Sequence, residues 1–152
     1  MFYYNKGRLM RNGISFEIPD GVYIQTEAET VSEDKIDFIS SDASFCFSLQ
    51  FCETEKEAEE FLQEAYDIFE ESYVEIIKPI HCARNKNGVN GYYTKYRTTY
   101  KDRIQNYDEY VFELPNQLLL NIYFKLQQSQ SNEREYNRIQ KALVDSLSFE
   151  IF

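Results

Sequence analysis

The fold class predicted from the sequence is α+β: an antiparallel sheet of about six to eight strands packed by two main helices, in the order β-β-β-β-β-α-β-β-β-β-α. Three observations carry this expectation. Strict apolar–polar alternation recurs along the chain, as in Ile14, Phe16 and Ile18 or Phe45, Phe47, Leu49 and Phe51. Two stretches, one central and one terminal, instead repeat their apolar residues every three or four positions. The aromatic load is 13 Tyr and 12 Phe without Trp, side chains that favour a pleated, half-buried surface. With 152 residues and no repeat, low-complexity tract or Pro/Gly/Ser linker, residues 1–152 are expected to form a single domain with its own core.

The elements follow in order. A strand running to about Met10 leads into the Asn12-Gly13 turn, whose residues tolerate positive φ. Ile14, Phe16 and Ile18 form a half-buried strand, Pro19-Asp20-Gly21 turns the chain, and a short strand covers Val22 to Gln25. The polar stretch TEAETVSEDK reads as a surface loop. Ile36 to Ile39 and Ala43 to Cys52 form a hairpin around Ser41-Asp42, with the phenylalanines on one face and Cys46, Ser48, Gln50 and Cys52 on the other. Thr54 opens a helix of about five turns, with Glu57 at capping-box spacing and Ala58, Phe61, Leu62, Ala65, Phe69 and Tyr73 on its apolar stripe. Val74 to Arg84 is a strand whose Pro79 indicates an edge or a bulge. After the NKNGVNG turn, three long strands form a meander. They are Tyr92 to Tyr100, a strand after a loop near Lys101 to Asn106, and Leu118 to Leu126 beyond Pro115-Asn116. The last helix starts near Asn132 or Glu133 and carries Tyr136, Ile139, Leu143 and Leu147, and the tail SFEIF adds a short strand or docks.

Charge narrows the partners. Sixteen Lys and Arg against 26 Asp and Glu leave a net charge of −10. Such a chain repels phosphate backbones and anionic bilayers, so neither nucleic acid nor a membrane is expected as partner. No apolar run approaches the ~18 residues that span a bilayer, and the first ten residues lack a signal-peptide core. Cys46, Cys52 and Cys82 are odd in number and without framework spacing, which fits a reducing, cytoplasmic setting.

No known chemistry is written into the chain. His81 and Cys82 are adjacent, so a regular strand sends them to opposite faces and prevents a nucleophile–base pair. Cys46 and Cys52, six apart on one extended strand, are separated by roughly 20 Å, too far to share a metal ion. Neither phosphate-cradling glycine motif occurs, and no catalytic residue, metal ligand or cofactor is implied.

Two surfaces remain as candidates for a partner. Between Glu53 and Glu75 there are ten carboxylates and a single basic residue, Lys56. Glu60, Glu64 and Glu71 on this acidic helix form a docking strip for a basic partner or simply a solvated face. On the sheet, Tyr93, Lys95 and Arg97 are expected to share a face with Glu109, Val111 and Glu113 and with Leu119, Asn121, Tyr123 and Lys125. Cross-strand ion pairs there hold register, and an uncovered face would present Tyr93, Lys95, Arg97, Leu119 and Tyr123 to a partner.

The phrase GISFEIPDG after the first hairpin arm, the acidic helix following the phenylalanine-rich strand, the meander, and the closing helix with ALVDSLSF together resemble the PsbP/DcrB-like superfamily over essentially the whole chain. That group includes photosystem PsbP proteins, a Ran-binding import factor and bacterial chaperones for secretion effectors. The resemblance implies a non-enzymatic protein-binding or adaptor role, chaperone-like in some members, with another protein as partner. It carries over no site residue. The residues leave two alternatives open: a small-molecule-binding domain with a Tyr-lined pocket between sheet and helix, and a thiol or histidine hydrolase around His81.

Overall fold

Turn chemistry and alternation resolve into two antiparallel sheets. The computed structural model describes residues 3–5, 7–11, 13–25, 34–69, 72–127 and 133–149. A small sheet is built from β1 (Tyr3–Asn5), β2 (Arg8–Arg11), β3 (Ile14–Glu17) and the tail strand β11 (Ser148–Phe149), in the order β1-β2-β3-β11. The large, seven-stranded sheet is formed by β4 (Val22–Ile24), β5 (Lys35–Ser40), β6 (Phe45–Glu53), β7 (Tyr73–Arg84), β8 (Asn90–Tyr100), β9 (Arg103–Leu114) and β10 (Leu118–Gln127). Its order is β4-β5-β6-β10-β9-β8-β7. Two helices, α1 (Ala58–Ala65) and α2 (Glu133–Ser146), complete the α+β fold.

The layers follow from which faces are apolar. Phe38, Phe45, Phe47, Leu49, Phe51, Phe112, Leu120, Ile122 and Phe124 line one face of the large sheet. Against them pack Tyr136, Ile139 and Leu143 of α2, Leu147 just beyond it, and Leu9, Ile14 and Phe16 of the small sheet. Phe38 stacks on Phe47 at 4.8 Å, and Phe47 continues to Phe124 at 5.1 Å, so the aromatic rings form a continuous spine. The opposite face holds a smaller cluster in which Ala58 and Leu62 of α1 cover Val111 and Leu119. We refer to these as the α2 face and the α1 face.

Several elements differ from the reading of the sequence, each for a local reason. The strand expected up to Met10 is two strands, because Gly7 at φ +79° closes a tight turn that pairs Asn5 with Arg8. The expected single sheet therefore has a small companion sheet, completed by Ser148 and Phe149 pairing with β3. The central helix is much shorter than five turns. The Thr54 hydroxyl accepts the Lys56 N–H at 3.1 Å instead of capping the helix, and Glu57 occupies the N-cap without a side-chain bond. At the other end no basic residue faces the C-terminal dipole. The helix tightens into a 3-10 turn over Tyr66–Ile68, and Tyr73 belongs to β7. Most of the TEAETVSEDK loop, residues 26–33, lies outside the described residues.

The register of the meander positions the site. The loop expected over Lys101 to Asn106 is only the two-residue turn Lys101-Asp102, with Lys101 at φ +53° and Tyr100 paired to Arg103. Odd-numbered residues of β8 thus oppose even-numbered residues of β9: Tyr93 faces Tyr110, Lys95 faces Asp108, and Arg97 faces Asn106. At the β9–β10 hairpin odd meets odd, as in Glu109 with Tyr123. Pro79 does mark an irregular edge: β7 is terminal in the sheet and its pairing shifts on both sides of Lys78.

Candidate functional site

Strand register divides the candidate surface between two faces. Leu119 lies on the α1 face, 6% exposed beneath Ala58 and Leu62. Tyr123 is on the same face, half-buried on the part of the sheet that α1 leaves open. Tyr93, Lys95 and Arg97 stand on the α2 face with Tyr110, Asp108 and Asn106. The two groups expected to share one patch are therefore back to back, a consequence of the short β8–β9 turn.

On the α1 face, Glu60 and Glu64 are exposed, together with Glu55, Glu57, Glu59 and Asp67. Lys56 Nζ bridges to Glu64 Oε2 at 2.5 Å. Glu71 lies outside the described residues. Just beyond α1 the chain turns at Phe69, whose ring packs on Tyr96 and Tyr107. That leaves Ile68 74% exposed. Ile76, 49% exposed, pairs with Tyr96 and so lies on this face as well. Beneath the 3-10 turn, Glu109 is buried: its carboxylate accepts the Tyr96 hydroxyl at 2.8 Å and the Asn121 amide at 2.9 Å. Burial raises its carboxyl pKa, while those two hydrogen bonds pull the other way.

The α2 face contains a cleft of about 530 Å³ between α2 and the β7–β9 end of the sheet. Its floor is the Tyr93–Tyr110 pair, with ring centroids 4.7 Å apart. The buried Asp108 accepts the hydroxyls of Tyr93 and Tyr136, the latter at 2.5 Å, and Gln140 Nε2 donates to the Tyr110 hydroxyl at 2.8 Å. Burial pushes the Tyr110 hydroxyl up to about 12 and raises Tyr93 further, with Asp108 adding to both. These hydroxyls stay protonated donors at neutral pH. Arg97 is committed to Asn106 at 2.9 Å and to Glu75 at 3.7 Å. The cleft's end is held by the turn after β7: Asn85 Nδ2 donates to the carbonyls of Val144 and Leu147, at 2.9 and 2.7 Å, satisfying the C-terminus of α2.

Tyr136, Gln140 and the isoleucines Ile68 and Ile76 have no distinguishing mark in the sequence. Asp108-Glu109 was the one available signal, two consecutive carboxylates inside an aromatic strand that must bury one on each face.

The chain matches no family model and no curated protein. Solved structures do match. The Ran-binding protein Mog1p of Saccharomyces cerevisiae superposes with a TM-score of 0.64 at 9% identity, covering 90% of each chain. Cyanobacterial PsbP from Synechocystis gives 0.62 at 15% identity over 98% of this chain and 91% of that one. LpqN of Mycobacterium tuberculosis, involved in cell envelope biogenesis, gives 0.58 at 9% identity, over 91% and 83%. The fold is PsbP-like.

Within this PsbP-like fold the thiol and imidazole groups are dispersed. His81 pairs with Tyr93 and Cys82 with Tyr92, on opposite faces of the edge strand. Cys46 and Cys52 are on β6, four strand spacings from β7, or roughly 19 Å. Burial pushes both of these thiols up, away from the reactive thiolate. His81 Nδ1 lies 2.9 Å from the carbonyl of Pro79. No cysteine therefore stands within hydrogen-bond reach of His81 on its own face. Among the described residues no helix is long and apolar enough to cross a membrane.

Proposed function

We propose that this chain is a non-enzymatic, cytoplasmic protein-binding domain of adaptor type, and that its α1 face docks a basic, partly apolar surface of another protein. The observation that carries this reading is the adjacency of exposed Glu57, Glu59, Glu60 and Glu64 to the exposed Ile68 and Ile76 on one side of the sheet. Apolar side chains bordered by a polar, solvent-accessible rim are the general anatomy of a protein interface. The carboxylates steer a basic partner, and the isoleucines supply contact area once it arrives. A likeness in fold to a Ran-binding protein supports a protein as the partner class. The scattered His and Cys residues support a role without nucleophilic chemistry.

The test is capture from native extract on the immobilised chain, compared with E60K/E64K and with I68D. One protein retained by the unmodified chain, released by salt and lost from both variants is the expected result. Identical retention by all three would overturn the reading.

A further inference from the structure

We propose that the cleft on the α2 face is a second, independent site, one that binds a small soluble phosphate ester. The argument begins with an arrangement that stability does not explain. Lys78 and Lys95 are direct cross-strand partners at the irregular step of the β7–β8 ladder. Like charges placed opposite each other destabilise a sheet. The carboxylate positioned to neutralise them is Asp108, which opposes Lys95 on the next strand. Its two oxygens also accept the Tyr93 and Tyr136 hydroxyls, which are neutral donors.

Lys141 lines the same cleft. Among the described residues, none of these three lysines lies within 4.0 Å of a carboxylate oxygen, as is also true of Arg84, Lys86, Lys101, Arg103, Lys125 and Arg134, whereas Arg8, Arg11, Lys35, Lys56, Arg97 and Arg138 all do. The other carboxylate in the lining, Asp145, accepts the Lys86 N–H at 3.3 Å. A chain of net charge −10 thus gathers three lysines against two carboxylates, Asp108 and Asp145, around a cavity of about 530 Å³, a size that holds a small molecule. The acidic α1 face lies on the other side of the sheet.

The cleft's chemistry selects the ligand. Lysine ammonium groups suit a multiply charged phosphate. The half-buried Tyr93 and Tyr110 rings, with Asn137 and Gln140 beside them, provide a shelf for the organic part. A soluble ester fits better than a lipid headgroup, because the net charge repels an anionic bilayer.

Calorimetric titration of the full chain with inorganic pyrophosphate and with phenyl phosphate tests this. Lys95→Ala/Lys141→Ala is the cleft variant and Lys101→Ala, in the β8–β9 turn, the control. We expect saturable 1:1 binding that weakens at least tenfold in the cleft variant and stays unchanged in the control, with amide shifts of Tyr93 and Tyr110 moving on titration. The proposal is overturned by an absence of saturation into the millimolar range, by equal loss in variant and control, or by binding only to vesicles containing phosphoinositide.

Discussion

Asp108 and Glu109 are consecutive, both buried, and on opposite faces of β9. Each is held by two donors: tyrosine hydroxyls for Asp108, and a tyrosine and an asparagine for Glu109. A buried carboxylate left one donor short costs more than an ordinary hydrogen bond. Tyr136→Phe keeps the ring contacts with Phe45 and Phe124 and removes only the hydroxyl, so a loss of about 1–3 kcal/mol in urea denaturation is expected. Glu109 gives a pH signature. Its folded pKa lies above the ordinary 4.5, so its contribution to stability is fully present below the unfolded value and is lost as pH rises through the folded one. Denaturation of Glu109→Gln and the unmodified chain at several pH values should show the variant gaining in relative stability as pH rises. Gly91 is constrained differently. A Cβ there would meet the Val111 carbonyl oxygen at 2.2 Å and the Phe112 Cα at 2.9 Å, backbone atoms that cannot step aside. Gly91→Ala is expected to cost at least about 2 kcal/mol by the same measurement.

At the scale of elements, the link between the β7–β8 turn and α2 closes the cleft. Asn85 is buried, donates to two carbonyls at the helix end, and accepts the Val89 N–H at 2.9 Å. Asn85→Ala should cost about 2–4 kcal/mol, and hydrogen exchange should quicken at the C-terminal turn of α2 while β9 and β10 keep their protection. Most of this architecture was legible in the sequence. Alternation identified Phe45, Phe47, Leu49 and Phe51 as a core face, and three- and four-residue spacing identified α2 with its buried Tyr136, Ile139 and Leu143, continuing to Leu147 just past its end. What could not be read was register. Lys101 carries no turn signature, so a two-residue hairpin looked like a six-residue loop, and one residue of slip moved Tyr93, Lys95 and Arg97 to the other face. The extent of α1 was obscured in a similar way. The apolar spacing continues through Phe69, but the chain leaves the helix so that Phe69 can pack on Tyr96 and Tyr107, a tertiary contact overriding a local pattern.

For the molecule as a whole, charge is sorted by face. Carboxylates gather over α1 beside exposed isoleucines, while Lys78, Lys95 and Lys141 surround the cleft beside α2. The sheet between them is filled with aromatic side chains and is rigid enough to keep the two surfaces apart. If they act independently, occupying the cleft should leave docking at α1 unaffected, and protein capture with and without pyrophosphate should match within about twofold, or ~0.4 kcal/mol of coupling. The most direct measurement of the central claim, that α1 is the protein-docking face, is site-specific photo-cross-linking in native extract. The photoreactive residue is placed at position 60 in one sample and at position 101, on the far turn of the meander, in another. A single discrete protein adduct from position 60, suppressed by raised salt and absent from position 101, is the result expected. Adducts of equal yield and pattern from both positions, or none from position 60, would contradict it.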